Sequence, residues 1–248
     1  MPKLLSTEEY LARERRAEFK SEYFKGETFA MAGASRPHNR IVTNVIAALN
    51  QPLLRRGCNV YSSDMRVKIP QIQKYTYPDV VVTCGKESFE DAEVDSLLNP
   101  ILIVEILSAS TEAYDRGKKF QHYQFLESLR EYILITQDAI RVEQYVRQNN
   151  KTWTYIEYQN LDDVIKLESV ECDLPLREVY LKVFELTEPA SNEERVVVSH
   201  LQKEHACGVN LLHLGENCGV ERPSPGFAGV RRMQASRARA RFAATSDV

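Results

Sequence analysis

Two carboxylates stand where an acid is expensive. Asp79 opens the run Tyr77-Pro78-Asp79-Val80-Val81-Val82, and Glu105 sits inside Ile101-Leu102-Ile103-Val104-Glu105-Ile106-Leu107-Ser108. Five of the six residues flanking Glu105 are aliphatic. A charge in such a run is costly to bury unless it is paired or bound to a cation. Hard divalent cations take carboxylate oxygens held on rigid elements, with water and substrate filling the other positions. An acid near the end of each of two buried strands is therefore the pattern of a metal site. A cation that generates a nucleophilic water and neutralises developing charge is the chemistry of phosphodiester hydrolysis. Each acid also has a plainer reading. Asp79 follows a proline at a strand entry, where aspartate serves as a turn or capping residue. Glu105 could be half of a buried salt bridge to an arginine.

The elements that would position these acids are legible around them. Residues 77–85 and 100–108 are short, β-branched and bounded by turn formers, as central strands buried on both faces are. The acidic stretch 86–96 between them reads as a surface loop or short helix. Ser6-Thr7-Glu8-Glu9 is a capping-box pattern that opens a short charged helix. Residues 19–31 predict two strands turning at Gly26. Residues 37–51 predict a helix, because Ile41, Val42, Val45, Ile46 and Leu49 recur at helical spacing, and Pro52 is expected to end it. Residues 58–69 predict a strand with a break near Ser62-Ser63-Asp64. Residues 111–128 predict an amphipathic helix carrying Tyr114, Phe120, Tyr123 and Leu126, and 131–136 another buried strand. The stretches RVEQYVR, TWTYIEY and DVIKLES alternate with period two, as in an antiparallel meander.

The joined motifs are more specific than either acid. Y-P-D-V-V-V, then L-I-V-E-I-L-S-A-S-T, then Y-D-R-G-K-K-F-Q-H-Y resemble a large bacterial family of restriction endonucleases grouped with the PD-(D/E)XK nuclease superfamily. S-E-Y-F-K-G-E-T-F-A-M-A-G-A-S, H-N-R-I-V and S-S-D-M-R-V-K-I extend the resemblance over about residues 5–185. It implies a restriction endonuclease-like α/β fold, a mixed central β-sheet flanked by helices with a C-terminal β-meander. It implies that Asp79 and Glu105 are ligands of Mg²⁺ or Mn²⁺, with the carbonyl of Ile106 as a further ligand. The superfamily's lysine belongs two residues after the glutamate, where this chain has Leu107. In the resembling family a lysine on the next helix, matching Lys119, takes its place. Glu22 matches an acid near the N-terminal hairpin, an extra ligand or a proton acceptor, and His38 a histidine at a helix start. Without the resemblance, Lys119 reads as an exposed helical lysine, Glu22 as a cross-hairpin partner of Lys or Thr, and His38 as a residue bonded to the backbone.

Composition sets the outer bounds. The 248 residues carry a net charge of −3, which removes a strongly basic surface as an argument for nucleic-acid binding but leaves room for a local basic patch. Five scattered cysteines, with no CxxC pair, argue against a disulfide framework and a zinc site and suit a reducing cytoplasm. The N-terminal stretch lacks the apolar core of a signal peptide, and no run is long enough to span a membrane. Residues 189–248 lose periodic strands and hold eight Lys+Arg against six Asp+Glu, a net of +2 that leaves −5 for 1–188. They read as a basic, disordered or loosely attached tail behind a nuclease-like domain at 1–188. The expected function is metal-dependent endonuclease action on nucleic acid, DNA before RNA, with a homodimer as the candidate assembly. The rival is a catalytically silent, nucleic-acid-binding or protein-interaction member of the same fold.

Overall fold

A computed structural model describes residues 4–31, 33–149 and 152–184. The tail assignment at 189–248 and its boundary lie outside these residues. The chain begins with helix α1 (Thr7–Glu14), capped by the foreseen box: Ser6 accepts from the Glu9 amide and Glu9 from the Ser6 amide. Strands β1 (Ser21–Phe24) and β2 (Glu27–Ala30) follow, joined through Lys25 and Gly26 at φ 48° and 95°. Positive φ at both central positions is what a tight hairpin turn demands. A Cβ on Gly26 would also stand 2.8 Å from that of Leu4, so only glycine fits there.

Helix α2 (Arg36–Leu54) is longer than predicted and runs through Pro52. The proline lies on the exposed side of the last turn, while Leu53 is fully buried with Ile41, Val45 and Leu49. Burying Leu53 outweighs the one lost helical hydrogen bond. The expected broken strand at 58–69 is two strands in two different sheets, β3 (Cys58–Ser62) and β4 (Arg66–Ile69). Next come β5 (Lys74–Thr76), β6 (Val80–Cys84), the two-residue β7 (Ser96–Leu97) and β8 (Leu102–Leu107). Every residue of β8 is buried, as the aliphatic run required.

The helix expected over 111–128 is shorter and irregular. It consists of α3 (Glu112–Tyr114), a π-helical stretch Asp115–Lys119 and α4 (Phe120–Tyr123). Strands β9 (Glu131–Thr136), β10 (Val142–Arg147) and β11 (Trp153–Tyr158) pair antiparallel in succession, and β10 and β11 are the first two of the three stretches expected in the meander. The third stretch leaves it: β12 (Val164–Leu167) pairs with β13 (Cys172–Pro175) as a separate hairpin before α5 (Leu176–Val179).

Among the described residues the sheet expected at the centre is accompanied by a second mixed sheet. The larger has the order β11-β10-β9-β8-β6-β3, with β8 antiparallel to β6 and parallel to β9. The smaller has the order β2-β1-β5-β4-β7. Because side chains alternate across a strand, β6 and β8 feed two cores. Val80, Val82, Leu102, Val104 and Ile106 pack with α2, α5 and the β12–β13 hairpin. Val81, Ile103 and Leu107 pack on the opposite face with Tyr123, Leu126 and Val67. Cys58 and Cys84, directly opposed on β3 and β6, are joined in a disulfide, a pair that the scattered cysteine spacing did not suggest. Among the described residues no helix is long and apolar enough to cross a membrane.

Candidate active site

Register brings the two acids together. Val80 pairs with Val104, so the next antiparallel positions outward are Asp79 and Glu105, and side chains directly opposed share a face. The Ile106 amide fixes this end of the ladder by donating to Asp79 Oδ2 at 2.8 Å. His38 reaches the same oxygen from the first turn of α2, with Nε2 3.2 Å away. Its amide donates to Ser35 Oγ at the helix cap, and its Nδ1 is buried with no hydrogen-bond partner among the described residues.

Glu105 is buried, and Oε1 accepts from Lys119 Nζ at 2.8 Å and from the Tyr123 hydroxyl at 2.9 Å. Its salt-bridge partner is therefore the lysine implied by the resemblance and not an arginine. Lys119 is buried while Lys118 beside it is exposed, so the default reading of a solvated helical lysine fails for the first and holds for the second. Lys119 Nζ also lies 3.5 Å from Asp115 Oδ1 and 3.8 Å from Glu22 Oε1. Glu22 Oε1 accepts from the Thr76 hydroxyl, and Oε2 from Lys74 Nζ at 3.0 Å. The partners of Glu22 are a lysine and a threonine, but on β5 rather than across its own hairpin.

Burial dominates the electrostatics. It pushes the Glu105 carboxyl up to about 8, with the charges of Asp79 and Asp115 adding to the rise against Lys119. Burial likewise raises Asp115. It works against the charge on Lys119, but Glu105, Glu22 and Asp115 together overcome it and hold the ammonium well above its usual range. Burial also opposes ionisation of Glu22, where Lys119 and Lys74 outweigh it and keep the carboxyl low. The Tyr123 phenol is raised by burial and by Glu105, so it stays a hydrogen-bond donor.

With every group ionised, the four carboxyls of Glu22, Asp79, Glu105 and Asp115 exceed the two ammonium groups of Lys74 and Lys119 by two negative charges, an excess that the rise of Glu105 and Asp115 reflects. A divalent cation balances that charge. Among the described residues, the contacts given above use Oδ2 of Asp79 and Oε1 of Glu105. Those residues hold no set of three His, Cys, Asp or Glu side chains arranged around a cation. Mg²⁺ does not require one, since one or two carboxylates with waters and substrate oxygens suffice. The donor set fits such an ion.

Comparison with known proteins bears on the same residues. The family model described as "Uma2: Putative restriction endonuclease" matches residues 7–177. The chain belongs to this family. The Uma2 match spans all five site residues, from Glu22 to Lys119. Two uncharacterized proteins of Synechocystis sp. (strain ATCC 27184 / PCC 6803 / Kazusa) are similar over most of their length. One is 39% identical over 62% of this chain and 88% of its own, and the other 35% identical over 71% and 91%. The crystal structure of a putative nuclease belonging to DUF820 from Anabaena variabilis ATCC 29413 has the same fold. Its TM-score is 0.61 at 18% identity, over 73% of this chain and 99% of that one.

Asp79, Glu105, Lys119, Glu22 and His38, the residues expected from the motifs, are brought together by the fold. Lys74, Thr76, Asp115 and Tyr123 join them without having been expected there. Asp115 had a signal, four residues before Lys119 in Y-D-R-G-K-K. Tyr123 was read only as a marker of the apolar face. Lys74 and Thr76 carried no signal beyond period-two spacing on a short strand.

Proposed function

We propose that the protein is a divalent-metal-dependent endonuclease that hydrolyses phosphodiester bonds of nucleic acid, with DNA the first substrate to test. The observation that carries this is the Lys119 ammonium 2.8 Å from Glu105, opposite Asp79 in the ladder. It returns to the site the cation that Leu107 omits.

In this reading Asp79 and Glu105 hold Mg²⁺ or Mn²⁺, and the Ile106 carbonyl is the backbone ligand. When bound, the ion would acidify a water and offset charge on the phosphate oxygens. The chain's own groups do the rest. Lys119 orients the attacking water and stabilises the charge that grows on the phosphate. Tyr123 fixes the Glu105 carboxylate through its hydroxyl. His38 holds Asp79 in place from α2. Glu22 braces the far side of Lys119. A homodimer acting on both strands belongs to this reading and is checked by light scattering.

The deciding experiment incubates full-length protein with supercoiled plasmid, single-stranded DNA and RNA. Each is run with Mg²⁺, with Mn²⁺ and with chelator. Cleavage with metal that disappears in chelator and in Lys119→Met supports the reading. Binding without cleavage under every condition would instead establish the catalytically silent alternative.

A further inference from the structure

The site contains a second cation to which the chemistry above gives no task. Lys74 is 1% exposed. Its Nζ donates to Glu22 Oε2 at 3.0 Å and to the Tyr114 hydroxyl at 2.8 Å. It lies over the rings of Phe24 and Tyr114, at 5.8 and 5.5 Å from their centres. A buried ammonium is costly, and an apolar pair of similar volume in place of Lys74 and Glu22 would hold a fold as well or better.

We propose that Lys74 is a positioning residue: by compensating Glu22, it leaves the Lys119 ammonium to Glu105. The kinetic part of this inference rests on the nuclease reading; the structural part does not. Glu22 is shared between two lysines. Its Oε2 belongs to Lys74, while its Oε1 meets Thr76 and, at 3.8 Å, Lys119. Lys119 is 1.0 Å nearer to Glu105, at 2.8 Å. Attraction between buried charges is strong and falls with distance. Without Lys74, Glu22 would carry an uncompensated charge within reach of one remaining ammonium. Lys119 would be drawn to it and away from Glu105. Lys74 cannot follow a similar path, because β5, the Tyr114 hydroxyl and two aromatic rings fix its position. Tyr114 ends α3 immediately before the π-helical stretch that carries Lys119, so the same contact anchors that stretch.

The test uses full-chain Lys74→Met, Glu22→Gln and the double variant, by metal-free crystallography and by plasmid cleavage with Mn²⁺. In Lys74→Met, Lys119 moves to hydrogen-bonding distance of Glu22 and leaves Glu105. The kcat falls about tenfold or more with KM unchanged, as expected when only a transition-state contact is lost. In the Glu22→Gln background, adding Lys74→Met moves Lys119 little and changes kcat less than about twofold, since the two residues act as one unit. Should Lys74→Met fail to fold, Lys74→Gln keeps a hydrogen bond to Glu22 without the charge and is read in the same way. Lys119 remaining on Glu105 in the single variant would overturn the proposal. So would an equal loss of rate in both backgrounds, the mark of a merely structural lysine. If the wild-type protein cleaves nothing, the nuclease reading fails while the crystallographic arm still decides the role of Lys74.

Discussion

At the scale of residues, the site is an excess of carboxylate held in check by lysine. Glu105 is the most crowded member, buried beside Asp79 and Asp115. Replacing it by glutamine fixes the uncharged form that burial already favours, and Lys119 keeps Glu22 and Asp115 as partners. Glu105→Gln is therefore expected to leave metal-free thermal stability unchanged or raised, while abolishing metal-dependent cleavage. A Tm that falls by several degrees would show Glu105 to be a structural partner of Lys119 and little else. The two neighbouring lysines make a sharper contrast. Lys119 is buried against three carboxylates and Lys118 is exposed. Lys119→Met is expected to lower cleavage by about a hundredfold or more, a typical cost of losing one preorganised charge, and Lys118→Met to leave it within about twofold. Parallel single-turnover assays check both, and equal rates would place the cation elsewhere.

At the scale of elements, stability and geometry come from short pieces tied by polar links. Asp95 binds Arg15 just beyond α1 at 2.8 and 3.0 Å, and Arg66 on β4 at 2.7 Å. The Arg15 bonds, against a smaller opposing cost of burial and with help from Arg66, hold the Asp95 carboxyl well below the usual carboxylate range. A depressed acid contributes stability that is present above the unfolded value, near 3.9, and is lost as pH falls through the lower folded value. Asp95 is about one-third exposed, so solvent screening limits this to about 1 kcal/mol. Asp95→Asn is expected to lower Tm by about 2–4 °C at pH 7, with the gap narrowing progressively below about pH 4. A gap independent of pH would assign the effect to packing. Pro52 offers a test on α2. Pro52→Ala restores the helical donor on an exposed turn and is expected to raise stability by about 1 kcal/mol in urea unfolding. No gain would mean that this turn is set by Leu53 packing alone.

The elements also show what a sequence can and cannot disclose. Strands β6 and β8 were legible because burial on both faces demands unbroken aliphatic runs, and that same demand exposed Glu105 as an anomaly. Helix α2 was legible from its 3.6-residue period, but its end was not, since Leu53 acts through a partner distant in sequence. The π-helical stretch has no sequence period of its own and was invisible. So was the parting of β3 from β4 into separate sheets, which depends on which partner strand each one finds. The five proposed site residues were found through motifs, whereas Lys74 and Thr76 join them only through the pairing of β5 with β1.

For the whole molecule, the two sheets meet at the site: Glu22, Lys74 and Thr76 come from the smaller, and Glu105 from the larger, with Lys119 between them. A cation bound by Asp79 and Glu105 would therefore stabilise the folded state as a whole. A ligand that binds only that state adds about 2.7 kcal/mol at a hundred times its dissociation constant. Mn²⁺ is expected to raise Tm of the wild-type protein by several degrees, and to leave Asp79→Asn and Glu105→Gln unshifted. An equal shift in all three by scanning calorimetry would mean that the ion binds elsewhere.

The parallel pairing of β8 with β9 carries one more implication. Parallel neighbours cannot be joined by a tight turn, so the chain must leave the sheet and come back across its face. Lys119 rides on that return journey. The acids are locked to a hydrogen-bonded ladder, but the ammonium beside Glu105 travels on a crossover whose length and winding the ladder does not dictate. A search pattern that counts letters along the chain, expecting lysine two places after glutamate, would pass over this protein. The proposed chemistry requires only an address in space, and the crossover brings the ammonium to Glu105 by a longer road.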